Sequence, residues 1–118
     1  MSMAANLVVA LVALIHVYIL VLEMFLWEKP AGLKAFGQTP AAAAASKVLA
    51  ANQGLYNGFL AAGLLWGLWL GADGHGVRIF FLLCVVVAGL YGAATASKKI
   101  LYVQALPAAI GLLLVILA

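Results

Sequence analysis

Charge is what this chain most lacks. Among 118 residues there are six lysines and arginines and three acids, so charged residues make up 8%. A soluble domain carries about 25%. A net charge of +3 from so few groups gives no phosphate-tracking surface, which excludes a nucleic-acid partner. One cysteine, Cys84, excludes an intrachain disulfide and a cysteine-based metal centre. The N-terminal stretch Met1 to Asn6 has no basic residue, so no cleaved signal peptide is expected. What the chain has instead is apolar surface. Hydrophobic residues make up 69%, more than a soluble fold of this length can bury, and that excludes both a soluble enzyme and a disordered chain.

A membrane-spanning helix needs about 20 mostly apolar residues. Four such stretches are present: Met3–Trp27, Val48–Leu70, Val77–Ala96 and Ile100–Leu117. The expected fold is an all-α integral membrane domain occupying residues 1–118, a four-transmembrane-helix up-down bundle with one long cytoplasmic loop, 28–47. Lysines set the orientation. Loops one and three carry Lys29, Lys34, Lys47, Lys98 and Lys99, and the opposite side carries Arg78. Positive charge stays inside, which predicts N-out/C-out, multi-pass insertion in the inner membrane and argues against dual topology. Thr39-Pro40 reads as an N-cap and first helical residue, with Ala41–Ala45 leading into the second span. That helix would be about 46 Å long, more than a hydrocarbon core of ~30 Å. The stretch Gly32–Phe36 fits either the membrane interface or a solvated connector.

Polar groups in a membrane turn toward protein or trapped water. At 100° per residue, His16 and Glu23 share a stripe with Ala5, Val9 and Val12. Asn52, Gln53, Tyr56 and Asn57 group on the second span, continued by Gly63 and Gly67, with Trp66 and Trp69 pointing to lipid. Cys84, Ala88, Tyr91, Gly92, Thr95 and Lys98 align on the third, and Gln104, Pro107, Ala108 and Gly111 on the fourth. Turning all four stripes inward predicts a polar pocket in the cytoplasmic half, lined by His16, Glu23, Asn52, Gln53, Tyr56, Asn57, Tyr91, Thr95, Lys98 and Gln104. The outer half is apolar, which counts against an open pore.

Each of these residues also has a plainer reading. Glu23 is a proton or cation site if embedded, and a headgroup residue if the span ends at Leu22. His16 is a relay or a packing histidine. The amides suit a neutral or zwitterionic ligand, or interhelical bonding. Tyr91 and Thr95 bond the amides or a ligand. Lys98 and Lys99 are topology anchors or partners for Glu23. Cys84 is a packing residue. Gly63, Gly67 and Gly71 suit close helix contact within or between subunits. His75 with Asp73 is too small a set for a metal.

The stretches H-V-Y-I-L-V-L-E-M-F-L-W (His16–Trp27) and K-V-L-A-A-N-Q-G-L-Y-N-G-F-L-A-A-G-L-L-W-G (Lys47–Gly67) resemble the small four-span bacterial membrane proteins grouped as domain of unknown function thirteen-oh-four. The resemblance covers essentially the whole chain. It implies no activity. It implies only that His16, Glu23, Asn52, Gln53, Tyr56 and Asn57 fall in the family's signature stretches.

Three functions compete on these residues. The first is a proton- or cation-coupled small-molecule transporter or binding protein, with Glu23 exchanging and Asn52, Asn57 and Tyr91 holding the ligand. The second is a cofactor-free intramembrane enzyme, an isomerase or hydrolase, acting on a lipid-like substrate with Glu23 and His16 as acid and base. The third is a structural membrane subunit. No cofactor and no metal are expected. Four helices enclose little volume, so a homo-oligomer surrounded by membrane lipids is expected.

Overall fold

The computed structural model describes residues 2–118, and all of its regular structure is helical. In chain order it comprises α1 (Met3–Met24), α2 (Pro30–Phe36), α3 (Pro40–Trp69), a 3₁₀ turn (Gly71–Gly74), α4 (His75–Thr95), a π-type turn (Leu101–Ala105) and α5 (Leu106–Leu117). Met3–Met24 and Gly71–Thr95 are long and apolar enough to cross a membrane, and Leu101–Leu117 is a shorter apolar stretch. At about 1.5 Å per residue α3 is ~45 Å long, but Asn52, Gln53, Tyr56 and Asn57 interrupt its apolar run.

The first helix ends at Met24, three residues before the expected Trp27. The amides of Phe25 and Leu26 both donate to Val21 O, so the last turn widens and the chain leaves the helix. Pro30 then starts α2 at a position where a missing amide costs nothing. Gly37 ends it in the left-handed region (φ 60°), with Gln38 N donating to Leu33 O and Gly37 N to Lys34 O. Thr39 caps α3 as its sequence suggests: its hydroxyl accepts from Ala42 N at 3.2 Å.

The chain divides into two compact units. One consists of the N-terminal segment through Ile15 together with Leu60–Ala118. Its core is Ala5, Val9, Val12, Ala13, Leu64, Leu82, Val85, Ala108 and Val115. Small residues set its spacing. A Cβ on Gly89 would lie 2.7 Å from the Ala105 backbone nitrogen, so α4 and the following turn touch main chain to main chain. Gly63 lies against the Phe81 ring and Gly67 against Arg78. The small-residue series on α3 is thus used inside this unit.

The other unit is His16–Phe59. It holds the end of α1, all of α2 and the first part of α3. Gly32 packs directly on the Leu26 carbonyl, and Gly54 faces Met24, Glu23 and Leu20. A Cβ at Gly32 would push the Leu26 backbone away, and one at Gly54 would displace the Met24 and Glu23 side chains.

Candidate functional site

The site lies in the His16–Phe59 unit, where the end of α1 runs beside α3. Glu23 stands in the last turn of α1 and is 7% exposed; Asn57, on α3, is 8% exposed. The Asn57 amide donates to Glu23 Oε1 at 2.6 Å, a short bond. Gly54, one turn before Asn57, makes this approach possible. Its missing Cβ would sit 3.1 Å from Glu23 Cβ and 2.6 Å from Met24 Cγ.

Glu23 also forms a wall of a cleft of about 480 Å³, lined further by Met24, Phe25, Trp27, Glu28, Lys29, Lys47 and Ala51. That volume is within the range of small-molecule sites. Trp27 is fixed there by its indole N–H, which donates to Ala43 O at 3.1 Å and to Ser46 Oγ at 3.2 Å. Its ring packs on Phe36 at 4.9 Å. At the rim Lys47 pairs with Glu28 at 3.5 Å, both side chains being largely in the open. Glu23 itself is ion-paired to no lysine or arginine among the described residues.

The expected inward stripe on α1 is buried throughout: Ala5 3%, Val9 0%, Val12 1%, His16 0% and Glu23 7% exposed. The grouping on α3 divides. Ala43, Ala50, Gly54 and Asn57 are buried, whereas Asn52, Gln53 and Tyr56 are exposed, and Asn52 donates to Val48 O of its own helix. Five residues at 100° place Asn52 about 140° round from Asn57, too far to share a buried face. On α4 the stripe exists but faces outward. The buried side is Arg78, Leu82, Val85 and Gly89. Tyr91, Thr95 and Lys98 are exposed, and the Thr95 hydroxyl donates to Tyr91 O. Gln104 is half-buried in the π-type turn. Within the His16–Phe59 unit Glu23 and Asn57 meet, while Asn52, Gln53 and Tyr56 are exposed; in the other unit Tyr91, Thr95 and Lys98 are exposed.

Sequence reasoning passed over two residues. Trp27 is one; a tryptophan at a helix end signals an indole in need of an acceptor. Arg78 is the other. It belongs to the unit that contains Leu60–Ala118, is 2% exposed, and donates to Gly67 O and Gly71 O. It thereby caps the C-terminal end of α3, where a cation is favoured. An arginine inside an apolar stretch was the available signal. His75 and Asp73, by contrast, are exposed.

Two helices long and apolar enough to cross a membrane, and a buried acid–amide pair beside a cleft, define the class: a small all-helical protein. Comparison gives the family. The model for "Protein of unknown function (DUF1304)" matches residues 10–116, and the chain belongs to that family. It is similar to the uncharacterized protein YpaA of Lactococcus lactis subsp. lactis (strain IL1403), with 30% identity over 96 residues, 80% of this chain and 81% of that protein. No solved structure matches it.

Proposed function

We propose that this chain is a four-span inner-membrane protein, N-out and C-out, that binds a small molecule in the cleft beside Glu23. It works as a proton- or cation-coupled transporter or binding protein. The observation that carries the reading is the Glu23 carboxyl: buried, bonded by one neutral amide, and set in the wall of a ligand-sized cleft. An ionisable group in that setting is costly unless a proton or a ligand balances it.

The four-span reading draws on the surface. Large aliphatic residues are exposed along every long helix: Leu7, Leu11 and Leu14 on α1, Val48 and Leu65 on α3, Leu83, Val87 and Leu90 on α4, and Ile110, Leu113 and Ile116 on α5. Alanine and glycine take much of the interior instead. That distribution suits lipid outside and close helix contact within. The exposed amides of Asn52 and Gln53 favour a homo-oligomer, because amides both donate and accept and so can pair with a second copy of themselves. His16 does not line the cleft, which favours binding over acid–base catalysis by His16 and Glu23.

Two measurements test this. Single cysteines in a Cys84→Ala background at Lys34 and Ser97 should label only from the cytoplasmic side, and one at Asp73 only from outside. Labelling of Lys34 and Asp73 from the same side would refute the topology. In proteoliposomes, addition of a transported or bound cation should give a saturable charge or proton signal that Glu23→Gln removes. An identical signal from Glu23→Gln would refute the role of the carboxyl.

A further inference from the structure

We infer that the cleft is built for a primary or secondary ammonium group carried on a short apolar body, with Glu23 as its counter-ion. This rests on the ligand-binding reading above and specifies the chemistry of the ligand.

The charges of the cleft wall lead to it. Four ionisable side chains line the cleft: Glu23, Glu28, Lys29 and Lys47. Glu28 and Lys47 neutralise one another at 3.5 Å. Lys29 is exposed and free to extend into water. Glu23 is left as the buried group of the set, with a neutral amide as its hydrogen-bond partner and no ion-paired lysine or arginine among the described residues. A carboxylate offers about four lone-pair sites, and Asn57 occupies one. An incoming N⁺–H would fill others and restore charge balance in the same step. An anionic ligand would meet repulsion from an ionised Glu23, and a neutral one would supply no counter-charge, leaving a proton to balance the carboxyl.

The rest of the lining fixes the remainder of the ligand. Met24, Phe25, Trp27 and Ala51 are apolar or aromatic walls next to the carboxyl. They suit a short hydrocarbon body and give the cation an aromatic neighbour. Trp27 packs its ring on Phe36, and Phe36 does not line the cleft, so the two rings do not face each other across it as an aromatic cage would. Glu23 keeps acceptor sites that Asn57 does not fill, so a cation carrying N–H donors fits better than a quaternary one.

Trp27 is also the reporter. In a Trp66→Phe/Trp69→Phe background, which removes two exposed indoles, the full-length protein in lipid nanodiscs is titrated at pH 7 with n-butylammonium, n-butanol and n-butyrate. The expected result is saturable change of Trp27 emission with n-butylammonium alone, and an apparent Kd raised at least tenfold by Glu23→Gln. Glu23→Asp, which keeps the charge, should retain the preference for the ammonium probe, and Lys34→Gln, an exposed residue that does not line the cleft, should leave it within a factor of three. If n-butanol saturates with the same midpoint as n-butylammonium, the ammonium assignment is overturned while the binding cleft stands. If no probe saturates in folded, monodisperse protein, the ligand-binding reading falls and this inference with it. The comparison of probes in the wild-type background decides the matter even where Glu23→Gln fails to fold.

Discussion

Replacing Asn57 with leucine should destabilise the protein more than replacing Asn57 and Glu23 together. Asn57 and Glu23 are both buried, and the bond between them is 2.6 Å. Hydrogen bonds between neutral groups on membrane helices contribute about 0.6 kcal/mol on average and at most ~1.7. Bonds involving a charged group contribute about 1.5–3 kcal/mol. The Glu23 bond combines burial with a carboxyl acceptor, so a coupling near the top of the first range and the bottom of the second, about 1.5–2 kcal/mol, is expected. Asn57→Leu also leaves the carboxyl buried with no donor, a further cost of about 1–3 kcal/mol. In Glu23→Leu/Asn57→Leu no orphaned polar group remains, and part of that loss returns. Reversible unfolding in bicelles across the four members of the double-mutant cycle measures both quantities. A coupling below about 0.5 kcal/mol, or a double variant whose loss equals the sum of the two single losses, would refute the reasoning.

Three further predictions follow from the same geometry. Arg78→Met leaves Gly67 O and Gly71 O without the guanidinium donor and should cost about 3 kcal/mol, with Arg78→Lys recovering part of it, read as shifts of the unfolding midpoint. Gly89→Ala should cost about 2 kcal/mol, because its new Cβ would lie 2.7–2.9 Å from Ala105 backbone and Cβ atoms. Gly92→Ala should cost under about 1 kcal/mol, since there the nearest atoms belong to the Ile100 side chain at 3.2 Å or more; equal losses at the two positions would contradict the packing. Trp27→Phe should remove about 1 kcal/mol and speed hydrogen exchange over residues 40–46, whereas Ser46→Ala, which leaves the Ala43 carbonyl as acceptor, should change both little.

Where one stripe on a helix is clearly the smaller and more polar, its sequence was a sound guide to burial. Ala5, Val9, Val12, His16 and Glu23 recur close to the helical repeat, and all are buried. Thr39-Pro40 carried its own start signal, and the helix begins there. Helix α4 shows why the same method misled elsewhere. It has two usable stripes, Leu82–Val85–Gly89 and Cys84–Tyr91–Thr95. Periodicity says which residues share a face and is silent on which face is chosen. The choice fell to the stripe whose glycine lets the Ala105 backbone come into contact. Polar content was the wrong criterion, because Thr95 satisfies its hydroxyl on the carbonyl one turn back, as Asn52 does with its amide. Side chains that can bond to their own helix have no need of an inward face.

The Glu23–Asn57 pair shows what periodicity cannot reach. The partners are 34 residues apart, and their meeting depends on the register between α1 and α3. That register is set by the intervening chain: the widened turn at Val21–Leu26, Gly32 against the Leu26 carbonyl, the αL Gly37, and Trp27 bonded to Ala43 and Ser46. Each of these is a local signal, yet none names Asn57. Once they are assembled, one choice remains, namely which amide of α3 faces the acid. Gly54 makes that choice. It is the residue whose absent Cβ admits Glu23, and one turn further on the same face stands Asn57, whose side chain is short enough to need that close approach. Gln53, on the neighbouring row, is exposed and lacks such a contact. The acid is therefore selected by a glycine three residues before its partner, and the chemistry of the cleft follows from a packing decision made on the backbone.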